Sequence, residues 1–186
     1  MKMKKTKQLI SVLTILLVTC CLSSFKTQEA EKIQWHSFTE AMQLNQAAPK
    51  KIFIDVYTEW CGWCKRMDAT TFTNPVIIRY MNAHFYAVKL DAEMKDTVLF
   101  SNHTFVNPDP TNKRSTHQLA SALLNNKLSY PTAVYLDENF SMLGPVPGYQ
   151  TPEALEPILH FFGSDAYKSS KWEDYQKTFK TELKPQ

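Results

Sequence analysis

Two cysteines set three residues apart, directly after a buried-strand pattern, constrain this chain more than any other feature. Ile52-Phe-Ile-Asp-Val56 is an apolar run interrupted by one carboxylate, Asp55, and Thr58-Glu-Trp-Cys-Gly-Trp-Cys-Lys-Arg-Met67 follows it. The run reads as a buried strand and the continuation is helix-compatible, which places Cys61 at a helix N-terminus and Cys64 one turn in. Positions i and i+3 of a first turn lie at roughly the 5–6 Å Cα separation that a disulfide accepts. The unpaired N–H groups and positive dipole end there also stabilise a thiolate, the form that attacks disulfides. Lowering a thiol pKa from about 8.5 to about 7 takes roughly 2 kcal/mol, about what a partly buried helix terminus provides. A pair so placed reads as a dithiol redox site.

Two other readings of the pair stay open: a structural disulfide and half of a zinc site. Zinc wants a second ligand pair, and His36, His84, His103, His117 and His160 show no close ligand spacing, so no metal is expected. Asp55 is costly in a buried strand unless it has partners or a task. One alternative is a carboxylate paired with Lys89 or Lys65.

Trp60-Cys61-Gly62-Trp63-Cys64-Lys65 resembles the active-site signature of the thioredoxin superfamily, with Trp63 where thioredoxin itself has proline. Tyr130-Pro131-Thr132, before another apolar strand, resembles that family's cis-proline loop, and Asp55 falls at its buried-carboxylate position. The resemblance covers roughly residues 33–163. Phe72-Thr-Asn-Pro75 and the long segment after Asp91 are more similar to secreted bacterial thioredoxin-like proteins than to cytosolic thioredoxin.

The resemblance implies an α/β thioredoxin-like fold: a central mixed β-sheet flanked by helices, with an inserted loop/helix segment and a C-terminal helical extension. It implies that Cys61 is the exposed attacking thiol, that Cys64 resolves the mixed disulfide, and that Asp55 accepts the Cys64 proton. Pro131 would be cis, Tyr130 would offer its backbone to an extended substrate strand, and Trp60 and Trp63 would form an apolar collar in reach of substrate.

The start of the chain reads as a targeting signal. Lys2, Lys4, Lys5 and Lys7 make a positive n-region, and Leu9 to Leu22 is an apolar stretch short for a bilayer. Processing has two readings: acylation at Cys20 or Cys21, giving a lipid anchor, or cleavage after Ser23 or Ser24. Without those four lysines the 21 basic residues fall to 17 against 18 acidic ones, so no nucleic-acid partner is expected. Cleavage beyond Cys21 would leave only Cys61 and Cys64, and in an oxidising compartment a single close-spaced pair favours catalysis over a disulfide framework.

The expected organisation is a signal at 1–24, a tether at 25–34, a thioredoxin-like domain at 35–163 and a helical extension at 164–186. Ser37 and Glu40 fit a capping box for a helix whose apolar positions are Phe38, Ala41, Met42 and Leu44. Asn74-Pro75 starts a helix reaching about Asn82, and His84 to Leu90 reads as a strand, parallel to the first by β-α-β order. Residues 91–114 show no clean period and read as a long loop. Ser115 and Gln118 suggest a capped helix through Asn125. A strand over 132–136, a short one near 141–143 and a rigid turn at Gly144-Pro-Val-Pro-Gly148 follow. Thr151-Pro152 begins a closing helix that Pro157 should kink or restart, and Tyr167 to Phe179 reads as an extra helix.

These features point to a periplasmic or cell-envelope thiol–disulfide oxidoreductase acting on protein disulfides. No FAD- or NAD-binding fingerprint is present, so no cofactor is expected and electrons should come from an upstream protein donor. The other class is a binding module on the same scaffold with a merely structural disulfide.

Overall fold

A computed structural model of the chain describes residues 31–184, so the targeting signal and most of the tether lie outside the described residues. The sheet grows from the apolar runs. The order is β1 (Trp35–His36), β3 (Phe85–Asp91), β2 (Lys51–Tyr57), β6 (Thr132–Leu136) and β7 (Met142–Pro147). β2 is parallel to β3, with Asp55 opposite Lys89, and antiparallel to β6, with Asp55 opposite Ala133. β1 adds to β3 in parallel and β7 to β6 antiparallel, so the sheet is mixed.

Both faces of β2 are covered, which is why the run lacks a polar alternation. Ile52, Ile54 and Val56 pack with α1 (Phe38–Ala47) and α4 (Gln118–Leu123). Phe53 faces the opposite way, against α2 (Gly62–Thr70), α3 (Pro75–His84) and α5 (Pro152–Gly163), through Met67, Ile77, Met81, Leu155 and Leu159. Each fully buried side chain of this size contributes about 1.5–3 kcal/mol. The two-residue period puts Asp55 and Tyr57 on the Phe53 side, the side of the dithiol helix.

Local signals behave as read at several ends. Ser37 Oγ accepts from Glu40 N at 3.2 Å while Glu40 accepts from Ser37 N at 2.8 Å. Asn74 Oδ1 accepts from Val76 N and Ile77 N ahead of Pro75. Inside α1, however, Leu44 is exposed and Asn45 is buried in its place. Asn45 lies seven residues from Phe38, on its face, and its amide bonds the Glu138 carbonyl and caps Lys50 N.

Elsewhere the structure departs from the sequence reading. The segment after Asp91 carries a hairpin, β4 (Val98–Phe100) and β5 (His103–Phe105), turned by Ser101 and Asn102, both at positive φ as a tight hairpin turn requires. Asn107 binds this segment together, donating to the carbonyls of Met94 and Ser115. α4 is capped by His117, whose Nδ1 accepts from Leu119 N, rather than by Ser115. It ends at Leu123, and Asn125 and Asn126 then turn through positive φ. Gly144-Pro-Val-Pro147 is strand, not turn. Pro145 and Pro147 are two apart on the edge strand, so their missing N–H groups both fall on one side and β6 stays paired through the other. α5 continues through Pro157, held by buried Leu155, Leu159 and Phe161 around it. The C-terminal aromatics form a short 3₁₀ turn (Ala166–Lys168) and α6 (Trp172–Thr178); Tyr167, Trp172 and Tyr175 pack on Phe161, and Phe179 on His160. Buried Glu156 then fixes the tail, accepting from Thr181 Oγ1 and from Glu182 N.

Candidate active site: the disulfide and its buried carboxylate

Cys61 is the N-cap of α2. Its backbone is extended, and its Sγ accepts the Cys64 N–H at 3.1 Å, satisfying one of the orphan donors of the first turn. The two cysteines form a disulfide with their Cα atoms 5.3 Å apart. The expectation of an exposed Cys61 is corrected for this oxidised form: Cys61 is 5% and Cys64 2% exposed. The capping bond and the disulfide together turn the Cys61 sulfur onto the helix end rather than outward.

Trp60 and Trp63 flank the pair, both half-exposed, and each is held by an arginine and a second ring. Trp60 meets Tyr130 edge-on at 6.0 Å, donates its indole N–H to Glu93 at 2.9 Å and carries Arg114 at 4.4 Å. Trp63 packs on Tyr149 at 5.3 Å, with Arg66 over it at 5.5 Å. The collar therefore joins the dithiol to the inserted segment on one side and to the β7–α5 connection on the other. The Tyr130–Pro131 bond is cis, and the Pro131 carbonyl accepts from Gly148 N at 2.8 Å.

Asp55, 1% exposed, accepts from Lys89 Nζ at 2.6 Å through Oδ2; its Oδ1 has no protein partner. Lys89 rather than Lys65 supplies the cation. Lys89 also bonds Asp68, and its ammonium lies 5.0 Å from the Trp35 ring, 5.1 Å from Tyr57 and 5.2 Å from Phe72. Burial pushes the Asp55 carboxyl above its usual range, against the pull of Lys89. For Lys89, burial pulls the ammonium down, but its two carboxylates outweigh that and leave it raised. A cavity of about 260 Å³ opens here, lined by Tyr57, Thr58, Glu59, Cys64, Lys65, Asp68 and Lys89. Cys64 and Lys89, the partner of Asp55, thus share one recess.

Asp68 and Arg66 were open to the sequence, since they sit four and three residues from Cys64 and Trp63 on one helix. Glu93, Arg114 and Tyr149 carried no local signal; only the fold brings them to the two indoles. Among the described residues no group of three or more His, Cys, Asp or Glu side chains is placed to hold a metal ion.

Sheet order, dithiol helix and cis-proline loop together define a thioredoxin-fold protein with a Cys-Gly-Trp-Cys disulfide. The chain belongs to the Thioredox_DsbH family, described as a protein of unknown function (DUF255), whose model matches residues 18–143. Solved structures share the fold: a DsbH oxidoreductase at 19% identity (TM-score 0.52, 80% of this chain and 94% of that one) is one. A putative disulphide-isomerase from Bacteroides thetaiotaomicron, at 22% identity (TM-score 0.51, 77% of this chain and 99% of that one), is another. An uncharacterized protein of Archaeoglobus fulgidus is 27% identical over 95 residues, 51% of this chain and 72% of its own length.

Proposed function

We propose that this chain is an exported thiol–disulfide oxidoreductase that reduces or exchanges protein disulfides through Cys61 and Cys64. The observation that carries the reading is a disulfide at a helix N-terminus whose Cys64 lines a recess with Lys89, the ion-pair partner of a buried carboxylate whose pKa is raised. In the reduced protein the Cys61 thiolate attacks a client disulfide, forming a mixed disulfide and releasing one client thiolate. Cys64 passes its proton to Asp55 and attacks the Cys61 sulfur, which breaks the mixed bond and releases the second client thiolate. Two electrons have moved to the client, and the Cys61–Cys64 disulfide remains. An upstream protein donor restores the dithiol. Trp60, Trp63, Tyr130 and Pro131 line the client side, and the Tyr130 backbone is suited to pairing with an extended strand. The Lys-rich, apolar start supports a periplasmic or envelope location, with Cys20 or Cys21 as the acylation point if the chain is anchored.

Two variants test the assignment. Cys64→Ser should accumulate mixed disulfides with clients, whereas Cys61→Ser should not. Equal trapping by both rejects it, and absence of turnover by the wild-type protein in an insulin-reduction assay favours the binding module. Direction follows from the reduction potential: a value below about −200 mV fits the reducing role, and one near about −120 mV makes the protein an oxidant. Fractionation and mass spectrometry of the mature N-terminus decide export and acylation.

A further inference from the structure

Asp55 does not hold Lys89 alone. The ammonium reaches from β3 to Asp55 Oδ2 on β2 and, on its other side, to the Asp68 carboxylate on α2. The Trp35, Tyr57 and Phe72 rings enclose it, so the two carboxylates divide its charge between them. They are unequal partners. Asp55 is sealed in the core and Asp68 stands at the rim, 45% exposed.

Asp68 lies four residues after Cys64, on the same face of α2, and both line the recess beside Lys89. The helix that presents the resolving thiol therefore also presents the second claimant on the Asp55 counter-ion. The other charged and titratable groups around Lys89 and Asp55 are Cys64 and Lys65 of α2, Tyr57 and Glu59 at the end of β2, and Asp91 of β3. β6 brings only Ala133 opposite Asp55, and α5 brings Leu155 and Leu159 to that core.

We propose that Asp68 is a positioning residue for the dithiol reaction: by taking a share of Lys89 it leaves Asp55 basic enough to accept the Cys64 proton. The role rests on the reading of Asp55 as the acceptor for Cys64. An ammonium wholly committed to Asp55 would favour the charged carboxylate and make it a poorer base. A second carboxylate acts against that twice, by drawing the cation away and by adding its own negative charge. The direction of the Asp68 influence on the Asp55 carboxyl is upward for this reason. In the resolving step the Cys64 S–H bond breaks, the proton goes to Asp55 and the sulfur electron pair forms the bond to Cys61. Asp55 afterwards returns its proton to water at the recess.

The test is the pH dependence of resolution, read as single-turnover decay of a mixed disulfide between Cys61 and a thionitrobenzoate-labelled peptide. Asp68→Asn should move the acid limb of the rate profile to lower pH by at least about half a unit and lower the plateau several-fold, because a weaker base ionises earlier and transfers less readily. Asp68→Glu should restore both. Carboxyl-carbon NMR of Asp55 in the oxidised protein gives a readout without turnover, and its titration should move down by a similar amount in Asp68→Asn. Thermal unfolding of both variants checks that the fold is intact. A wild type that turns over while the limb and the Asp55 titration stay in place in Asp68→Asn overturns this inference alone. A wild type that reduces no disulfide at any pH overturns the reading of the site beneath it, whatever Asp55 does.

Discussion

Two lysines of the same sheet each sit between a pair of carboxylates, and they are built in opposite senses. Lys51, at the start of β2, is the buried member of its group: it is 4% exposed, with Glu138 at 2.6 Å and Asp165 at 2.7 Å both nearer the surface. Lys89, on the neighbouring strand, is 23% exposed, and here a carboxylate, Asp55, is the sealed member. Protonation follows burial. Burial pulls the Lys51 ammonium down, but its bonds to Asp165 and Glu138 outweigh that and leave it raised, while the bond to Lys51 holds Asp165 below the usual carboxylate range. That group acts as a clamp between the start of β2, the β6–β7 turn and the end of α5. Asp55 is pushed up by the same burial, against the pull of Lys89. Burying the base of an ion pair makes a proton acceptor; burying the cation makes a staple.

The largest effect that separates the two groups should come from Lys89→Met. It leaves Asp55 in the core without a cation, and breaking a buried pair in this way costs about 3–5 kcal/mol. The sign of its pH dependence follows from Asp55. A carboxyl whose folded pKa lies above its unfolded value binds its proton more tightly when folded, so stability falls as pH rises between the two values. The loss should be full above the folded pKa and should fade towards the unfolded value near about 4. Urea unfolding at pH 5 and pH 8 measures it, and an equal loss at both breaks the contrast.

Lys51→Met should cost less, about 1–2 kcal/mol, because Glu138 and Asp165 can turn to water once the cation is gone. Its loss also fades in acid, but in a lower pH window. The Asp165 pKa is depressed, so its contribution is present above its unfolded pKa and is lost as pH falls through the folded one. The wild type should therefore keep its margin over Lys51→Met down to the unfolded carboxylate value of about 4, by which point Lys89→Met has largely recovered, and lose it only below that. Resolution kinetics should not change, and a shifted rate profile in Lys51→Met would place that clamp in the reaction.

The two groups also divide what the sequence could tell from what it could not. Determinants within a turn of each other were legible: the Ser37–Glu40 box, the Asn74-Pro75 start, the dithiol at the head of α2, and the odd carboxylate in an apolar strand. Lys89 was one of two named partners for Asp55, and the parallel pairing of β2 with β3 places it opposite. Glu138 is 87 residues from Lys51, and nothing near either residue announces the pairing. Arg114 and Glu93 reach Trp60 only because Asn107 folds the inserted segment upon itself. The edge strand at Gly144-Pro-Val-Pro147 was misread because proline usually marks a turn. Its edge position, which makes the missing N–H groups harmless, is a property of the sheet and not of the segment.

The smallest effect is also the closest control on the comparison. Asp165→Asn removes one of the two carboxylates of Lys51 as Asp68→Asn removes one of the two of Lys89. Asp165 stands at φ 64°, in the left-handed region, and asparagine adopts that region as readily as aspartate, so the substitution changes charge without adding backbone strain. The amide oxygen can still accept from Lys51, and Glu138 keeps its bond at 2.6 Å. Because Asp165 is itself well exposed, the lost attraction is screened, and the cost should be about 0.5 kcal/mol, or about 1–2 °C in Tm for a domain of this size. Neither the acid limb of resolution nor the Asp55 titration should move. Should Asp165→Asn shift that limb as Asp68→Asn is expected to, the two lysine groups would be electrostatically continuous through the sheet, and the division between clamp and proton acceptor would fail.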